Sequence, residues 1–372
     1  MAAYGGMERH VCVLAKEAAR RGHHVKLLTT SNSLNQTTRA DLAAAGIVLH
    51  ELPRQRDNAG PLLKLAWLWR ETLAARFTRW DIIYTNGQSA LASVVWHAGR
   101  RKTRIIHHHH TAADAGEQAT WAPRFRQVLK RAPEIVACSD ATRTNIEQAI
   151  GRKGARFLPY FSACPVTAAN VVEKRYQPGQ PLKFGFAGRL VRTKGIDMLC
   201  ALSQRPELAG ISWQIYGAGP DYTGDHFRAY PNICYHGPYP DLAGYGHALL
   251  DLDALALFSQ HNEGMPLSLI EAMSAGLPWI ASDRGGTREL ARDPCNCVLV
   301  QNPSDLDAAL RDTLLLVQRL HTGATSRLRQ RAVYDAHFNP EVVAKKWFDY
   351  LENCSDRGPI DSAPHDHDLR SH

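Results

Sequence analysis

The sequence predicts an α/β protein built of two doubly wound, parallel-sheet domains. Three observations carry that reading. The chain has 372 residues, too long for one ordinary core and suited to two domains of about 150–200 residues. Short apolar runs alternate with patterns of helical period, and the alternation restarts after Gln177-Pro178-Gly179-Gln180-Pro181. Several runs end in glycine turns or polar residues, as parallel strands do where ligands bind beyond their carboxyl ends.

In chain order, Gly5-Gly6 precedes a helical pattern of Val11, Leu14, Ala15, Ala18 and Ala19, which Gly22 ends. Val25–Thr30 and Ile47–Leu52 read as strands. Pro61–Trp80 carries Leu62, Leu65, Trp69, Leu73, Phe77 and Trp80 at helical spacing, the face expected against a sheet. Leu63, Trp67 and Leu68 lie off that face, flanked by Lys64, Arg70, Arg76 and Arg79, a mixture that an interfacial helix also uses. Asp81–Asn86 and Arg104–His110 are strands. The four histidines 107–110 alternate sides on a strand, so they cannot converge on one metal. Thr111–Trp121 reads as a flexible loop, Glu134–Ser139 as a buried strand, Asp140–Ile150 as a helix and Arg156–Pro159 as a strand.

The second half opens with Lys183–Leu190, a strand into a glycine turn, followed by Arg192, Lys194 and a helix from Ile196. Cations at the carboxyl end of a strand suit a diphosphate. Trp213–Pro220 repeats the strand-to-glycine theme, Ile233–Gly237 reads as an edge strand, and Ala254–Ser259 leads into Gln260-His261-Asn262-Glu263. In the run from Glu263 to Pro278, Pro266 suits a first helical position and Gly276 the left-handed residue past a helix end. Glu263 then lies in the loop entering the helix and Glu271 inside it. The amino end of a helix binds anions, and the carboxylates accept bonds from hydroxyls. Anion and polyol together point to a nucleotide-sugar. Trp279–Ser282 and Val298–Val300 are strands, and Phe338-Asn339-Pro340 opens a final helix.

The run EGMPLSLIEAMSAGLPWIASDRGGTREL, with E-G-x-P-x-x-x-x-E-A-x-x-x-G-x-P and then D-x-G-G-x-x-E, resembles the donor-site signature of retaining glycosyltransferases of family 4. The G-R-L-x-x-x-K-G form at Gly188–Gly195 resembles the same family. The resemblance implies a GT-B fold, two Rossmann-like domains facing a central cleft, and a hexose moved with retention from a UDP- or GDP-sugar to a saccharide acceptor. It implies no metal and no cofactor beyond the sugar nucleotide. Carried over residue by residue, it gives Arg189 and Lys194 to the donor diphosphate, Glu263 to the sugar hydroxyls, and Glu271 to the ribose. It also puts Gly5, Gly6, Gly188, Gly217, Gly264, Met265, Pro266 and Leu267 around the donor. His110 falls near the reacting carbon, with His109 the neighbouring choice, and Asn86 is placed on the acceptor side. The resemblance also implies a buried strand just before Gly5-Gly6, where the sequence offers only Met1–Tyr4. The expectation is a truncated start or a missing strand, and a less stable first domain. A non-catalytic nucleotide-sugar binder and a sugar-nucleotide epimerase are the alternatives.

The expected organisation is a first domain over 1–160, a linker over 161–181, a nucleotide-sugar domain over 182–338, a helix over 339–354 crossing back to the first domain, and a disordered tail over 355–372. Charge is uneven: 24 Lys and Arg against 12 Asp and Glu lie in residues 1–160, and 20 against 24 in the remainder. The basic first half suits a lipid-linked acceptor or an anionic membrane surface. No nucleic-acid motif accompanies the charge. No run of about 18 apolar residues is present, and MAAYGGMERH has no signal-peptide pattern. The eight cysteines show no zinc spacing. The expected place is the cytoplasm, peripheral on a plasma membrane in polysaccharide or lipopolysaccharide assembly.

Overall fold

The computed structural model describes residues 6–30, 34–52, 61–177, 179–239 and 241–352. Gly5 and the tail from residue 353 lie outside the described residues. The first half runs α1 (Gly6–Arg20), β1 (Lys26–Thr30), α2 (Gln36–Ala44), β2 (Val48–Leu52), α3 (Pro61–Arg76), β3 (Ile82–Asn86) and α4 (Ala92–Val95). It continues with β4 (Arg104–His109), α5 (Ala115–Ala119), α6 (Pro123–Arg131), β5 (Glu134–Ala137), α7 (Asp140–Ile150) and β6 (Arg156–Phe157). The second half holds β7 (Leu182–Ala187), α8 (Ile196–Ser203), β8 (Ile211–Tyr216), α9 (Gly224–Phe227), β9 (Ile233–Gly237), α10 (Leu242–Asp251) and β10 (Ala254–Leu257). Then come α11 (Leu267–Ser274), β11 (Trp279–Ser282), β12 (Cys297–Val300), α12 (Leu306–His321), α13 (Arg327–His337) and α14 (Pro340–Glu352).

All the strand pairs are parallel. The second half forms one sheet in the order β12-β11-β10-β7-β8-β9, so β7, first in sequence, is central and the order reverses beside it. That reversal is where an open α/β sheet leaves a crevice. Its strands are covered on both faces and read as continuous apolar runs, with Phe184, Phe186, Trp213 and Trp279 buried among them. The first half is divided among the described residues: β1 pairs with β2, while β3-β4-β5-β6 form a separate sheet.

Between the two halves, part of the connecting stretch is packed. Tyr160, Phe161, Val166 and Val171 are buried, and Ala168–Asn170 form a 3-10 turn. Thr111–Trp121, read as a flexible loop, contains α5, capped by the Asp114 side chain on the Glu117 N–H. Helices α2 and α6 escaped the sequence reading. Both are short, and α6 opens on Pro123 directly after a loop.

The orientation of α3 also differs from expectation. Leu62 is 80% exposed and Phe77 87%, and Trp69 and Leu73 are exposed too, whereas Glu71, Thr72 and Ala75 are buried. The reason is the Glu71 carboxylate, which turns inward to His50 Nδ1 at 2.6 Å and Lys26 Nζ at 3.4 Å. Once Glu71 faces in, the residues a half-turn away face out.

Helix α14 ties the end of the chain to the first domain. Val343, Ala344, Trp347 and Phe348 bury against Leu14, Ile106, Val136, Leu158 and Phe161. Trp347 Nε1 donates to the Pro159 carbonyl at 2.8 Å, and the Arg104 guanidinium donates to the Tyr350 and Leu351 carbonyls at 3.0 and 2.9 Å. Trp347→Ala removes the largest side chain of this contact and is expected to cost about 3–5 kcal/mol. Urea unfolding followed through the first domain reads the loss. An unchanged midpoint would show that α14 does not hold that domain together.

Candidate active site

The site grows from the segment between β10 and α11. Pro266 is the cap residue of α11, with extended ψ 107°, and the helix begins at Leu267. This places Pro266 one residue earlier than its expected first helical position. Gly276 follows the helix end at φ 68°, a conformation open to glycine at no steric cost. Every residue of α11 but Ser268 is buried, so its amino end is held inside the protein rather than on a surface.

Glu263 is 6% exposed. Lys194 Nζ stands 2.5 Å from its carboxylate, Ser259 Oγ donates to the same oxygen, and His261 Nε2 is 3.5 Å from the other. Burial pushes this carboxyl up, but the Lys194 and His261 charges outweigh it and hold the group well below the usual carboxylate range. Burial pulls the His261 imidazole down, and Glu263 more than restores it, so its pKa is raised. The turn bearing Lys194 is fixed to the same segment by the Thr193 carbonyl, which accepts from the Gln260 N–H at 2.8 Å. Arg189 is exposed at the end of β7, beside Gly188. A side chain at Gly217 would strike the Gly188 carbonyl, so this glycine serves the close packing of two turns.

Glu271 is 2% exposed and pairs with Arg9, from α1 of the other domain. Arg9 also reaches Tyr239 Oη at 3.3 Å. Burial raises the Glu271 pKa in spite of Arg9. The two domains meet closely elsewhere too. A Cβ at Gly264 would lie 2.0 Å from the His110 carbonyl oxygen and 2.8 Å from Cys138 Sγ, so only glycine fits there. Gly6 faces Leu267 at the amino end of α11. Asn262 Nδ2 donates to Asp114 at 2.9 Å, and Glu289 accepts from the Asp140 and Ala141 N–H groups at the start of α7.

Alternation along β4 separates the histidines. His108 and His110 share a side, with ring centroids 4.1 Å apart, and His110 Nδ1 contacts Tyr160 Oη. His109 takes the other side, against Trp121 and Phe125. The group of His110 at the Gly264 crossing is its backbone carbonyl, while its imidazole packs with His108 and Tyr160. His110 Nε2 has no partner among the described residues. Burial and the neighbouring imidazoles keep His108 and His110 neutral. Asn86 ends β3 and lines a cavity of about 410 Å³ in the first domain.

Sequence reasoning missed Arg9, Ser259, His261, Tyr239 and Glu289 as contributors. Ser259 and His261 lie within four residues of Glu263, and Glu289 is the last residue of the quoted D-x-G-G-x-x-E pattern. Arg9 carries no local signal, since only the meeting of the two halves brings it to Glu271 and Tyr239.

Two family models match successive parts of the chain: "Glycosyltransferase Family 4" over residues 4–157 and "Glycosyl transferases group 1" over residues 181–315. The chain belongs to glycosyltransferase family 4. This family 4 chain is 26% identical over 303 residues to a GDP-mannose-dependent alpha-mannosyltransferase of Mycobacterium tuberculosis, covering 77% of each. It is 27% identical over 348 residues to a D-inositol 3-phosphate glycosyltransferase of Xylanimonas cellulosilytica, covering 81% of each. In fold, the glycosyltransferase is similar to HepE of Anabaena, solved with UDP and glucose, at TM-score 0.70 and 18% identity over 95% of this chain and 97% of that one. The lipopolysaccharide outer core galactosyltransferase WaaB is similar at TM-score 0.68 and 17% identity, with the same coverage. The architecture is GT-B.

The Lys194–Glu263 pair carries a pH signature. Because the folded carboxyl lies below its unfolded value of about 4.3, it adds stability that is present above that value and lost as pH falls through the folded one. In Lys194→Ala, burial is opposed by His261 without the lysine, so the Glu263 titration is expected to move upward; stability is then lower at neutral pH and less of it is lost on acidification. A ¹³C-glutamate NMR titration reads the group directly. An unmoved Glu263 resonance would show that Lys194 does not set its charge.

Proposed function

We propose that the chain transfers a hexose, with retention, from a UDP- or GDP-sugar to a saccharide acceptor. The observation that supports it best is the cluster at the buried amino end of α11. Lys194 and Glu263 stand there as an ion pair, and Glu271 lies just inside the helix. The His110 backbone carbonyl approaches from the opposite domain at Gly264. The relatives named as GDP-mannose-dependent and the fold neighbour solved with UDP support a nucleotide-diphosphate sugar as donor.

In this reading the bond between the anomeric carbon and the diphosphate oxygen breaks, leaving a nucleoside diphosphate. Lys194, Arg189 and the α11 end stabilise the departing negative charge, as preorganised donors do, with no metal required. Glu263, kept ionised by Lys194 and His261, accepts bonds from the sugar hydroxyls. Glu271 exchanges Arg9 for the ribose hydroxyls when the nucleotide enters. The acceptor hydroxyl bonds to the anomeric carbon from the face the diphosphate leaves, and its proton passes to the departing phosphate oxygen. His110 Nε2, unpartnered in the structure, positions the sugar or acceptor. Gly6, Gly188, Gly264, Met265, Pro266 and Leu267 give the donor close access to backbone.

The acceptor is proposed to be lipid-linked. Leu62, Trp69, Leu73 and Phe77 form an exposed apolar stripe on and just after α3, with Arg70 and Arg76 beside it. Such a helix suits the surface of an anionic membrane. No helix among the described residues is long and apolar enough to cross one. Assembly of a cell-surface polysaccharide or glycolipid at the cytoplasmic face follows as the proposed setting.

Product analysis by NMR is the test. Transfer of the sugar with its anomeric configuration kept supports the proposal; an epimerised donor, or binding without turnover, overturns it. Lys194→Ala is expected to lower kcat by about 10²–10³, and a variant with full turnover would remove Lys194 from leaving-group stabilisation. Glu271→Gln is expected to raise KM for the donor with little change in kcat. A kcat loss at unchanged KM would take Glu271 out of ribose binding.

A further inference from the structure

The segment from Ser259 to Glu263 brings a second titratable group to the buried carboxylate. His261 Nδ1 stands 3.1 Å from the Thr193 carbonyl oxygen, and its Nε2 stands 3.5 Å from Glu263 Oε2. Lys194 Nζ and Ser259 Oγ are on the other oxygen, Oε1. A carbonyl and an ionised carboxylate can only accept, so both ring nitrogens face acceptors. A neutral imidazole has one N–H to offer, and this arrangement favours the imidazolium. Burial pulls the ring toward its neutral form, but Glu263 outweighs it and raises the pKa.

Backbone contacts hold the ring in place. The Thr193 carbonyl also accepts from the Gln260 N–H at 2.8 Å, and the Gln260 side chain donates to the Phe258 and Pro303 carbonyls at 3.1 and 2.9 Å. A Cβ on Gly195 would strike the Phe258 carbonyl, so the turn bearing Lys194 lies directly on the exit of β10. The charged groups that face His261 are Lys194 from that turn and Glu263 from its own segment. Asp114 and Glu117 of α5 bond the neighbouring Asn262. The His261 side chain is 33% exposed, so it exchanges protons with solvent.

Charge balance gives this ring a task. Lys194 and Glu263 cancel, so an imidazolium leaves the cluster one positive charge and a neutral ring leaves none. A diphosphate arriving at Lys194 draws the ammonium from Glu263, and a buried carboxylate stripped of its cation is strongly disfavoured. His261 serves the other oxygen and does not compete for the same place.

We propose that His261 is a positioning residue of the donor site: as an imidazolium it holds Glu263 from Oε2 and frees Lys194 for the diphosphate. Binding of a nucleoside diphosphate is thereby coupled to proton uptake on His261. The inference rests on the proposed reading of this cluster as a diphosphate site. The added anion favours the charged ring, so affinity is highest at low pH. It falls as pH rises from the pKa of the free protein to that of the complex, about tenfold for each unit between them.

Calorimetric titration of the full chain with UDP and with GDP over about pH 6.5–9, in two buffers of different ionisation enthalpy, tests the coupling. The terminal phosphate of the nucleotide, with a second pKa of about 6, contributes equally in wild type and His261→Gln, so their difference belongs to the ring. The wild type is expected to take up more protons than His261→Gln and to lose about tenfold in affinity across the range. His261→Gln should bind about tenfold more weakly at the acid end. His261→Lys, a cation throughout, should bind tightly at every pH. Equal uptake in wild type and His261→Gln would overturn the proposal, as would a His261→Lys variant no tighter than His261→Gln at the alkaline end. Where a variant does not fold, the wild-type ring answers instead: the NMR titration midpoint of His261 is expected to rise when the nucleotide is added, and an unmoved midpoint overturns the coupling. Failure of the wild type to bind either diphosphate would overturn the diphosphate reading itself, and the coupling with it.

Discussion

A carboxylate taken out of water needs cations at contact distance, and Glu263 finds Lys194 and His261. That requirement orders the second domain around the cleft. The turn after β7 must bring Lys194 to the segment after β10, which it does because those two strands are neighbours and the Thr193 carbonyl accepts the Gln260 N–H. A single buried charge thus fixes two loops and the start of α11 in one geometry. For the diphosphate proposed to bind here, such fixing is useful. The cation is already in place, and no loop has to be ordered when the ligand arrives.

The same region is where the domains close on each other. Gly264 lets the His110 backbone approach, because any side chain there would collide with it. Glu289 receives the first N–H groups of α7, and Arg9 reaches over to Glu271. These contacts join polar groups across the cleft, which suits an interface that opens and recloses rather than a permanent apolar seam. Arg9 keeps the buried Glu271 carboxylate partnered.

The repeating pattern of strands and glycine turns was readable in the sequence because parallel strands covered on both faces are apolar runs with clear ends. Glu263 and Glu271 were readable because their spacing places them about one helix start, and Lys194 because it follows a strand and a glycine turn of its own. His110 was separable from His109 only once the strand register was known, since adjacent residues differ by a flip of face. The α3 face was misread because hydrophobic count favoured one side while Glu71, buried with Lys26 and His50, turned the other side inward. Arg9 was invisible because its contact with Glu271 and Tyr239 depends on how the two halves meet, which no local pattern encodes. Short helices such as α2 and α6 carry too few apolar positions to announce themselves.

The first domain has the opposite character to the second. Among the described residues its strands form two sheets, β1-β2 and β3-β4-β5-β6, and α1 carries Arg9, which reaches Glu271. The central claim, that the amino end of α11 with Lys194 and Glu263 grips a nucleotide diphosphate, is tested most directly by calorimetric titration of the chain with UDP, GDP and the matching monophosphates. The account predicts that one diphosphate binds much more tightly than its monophosphate and that Lys194→Ala erases the difference. Equal affinity for diphosphate and monophosphate, unchanged in Lys194→Ala, would contradict it.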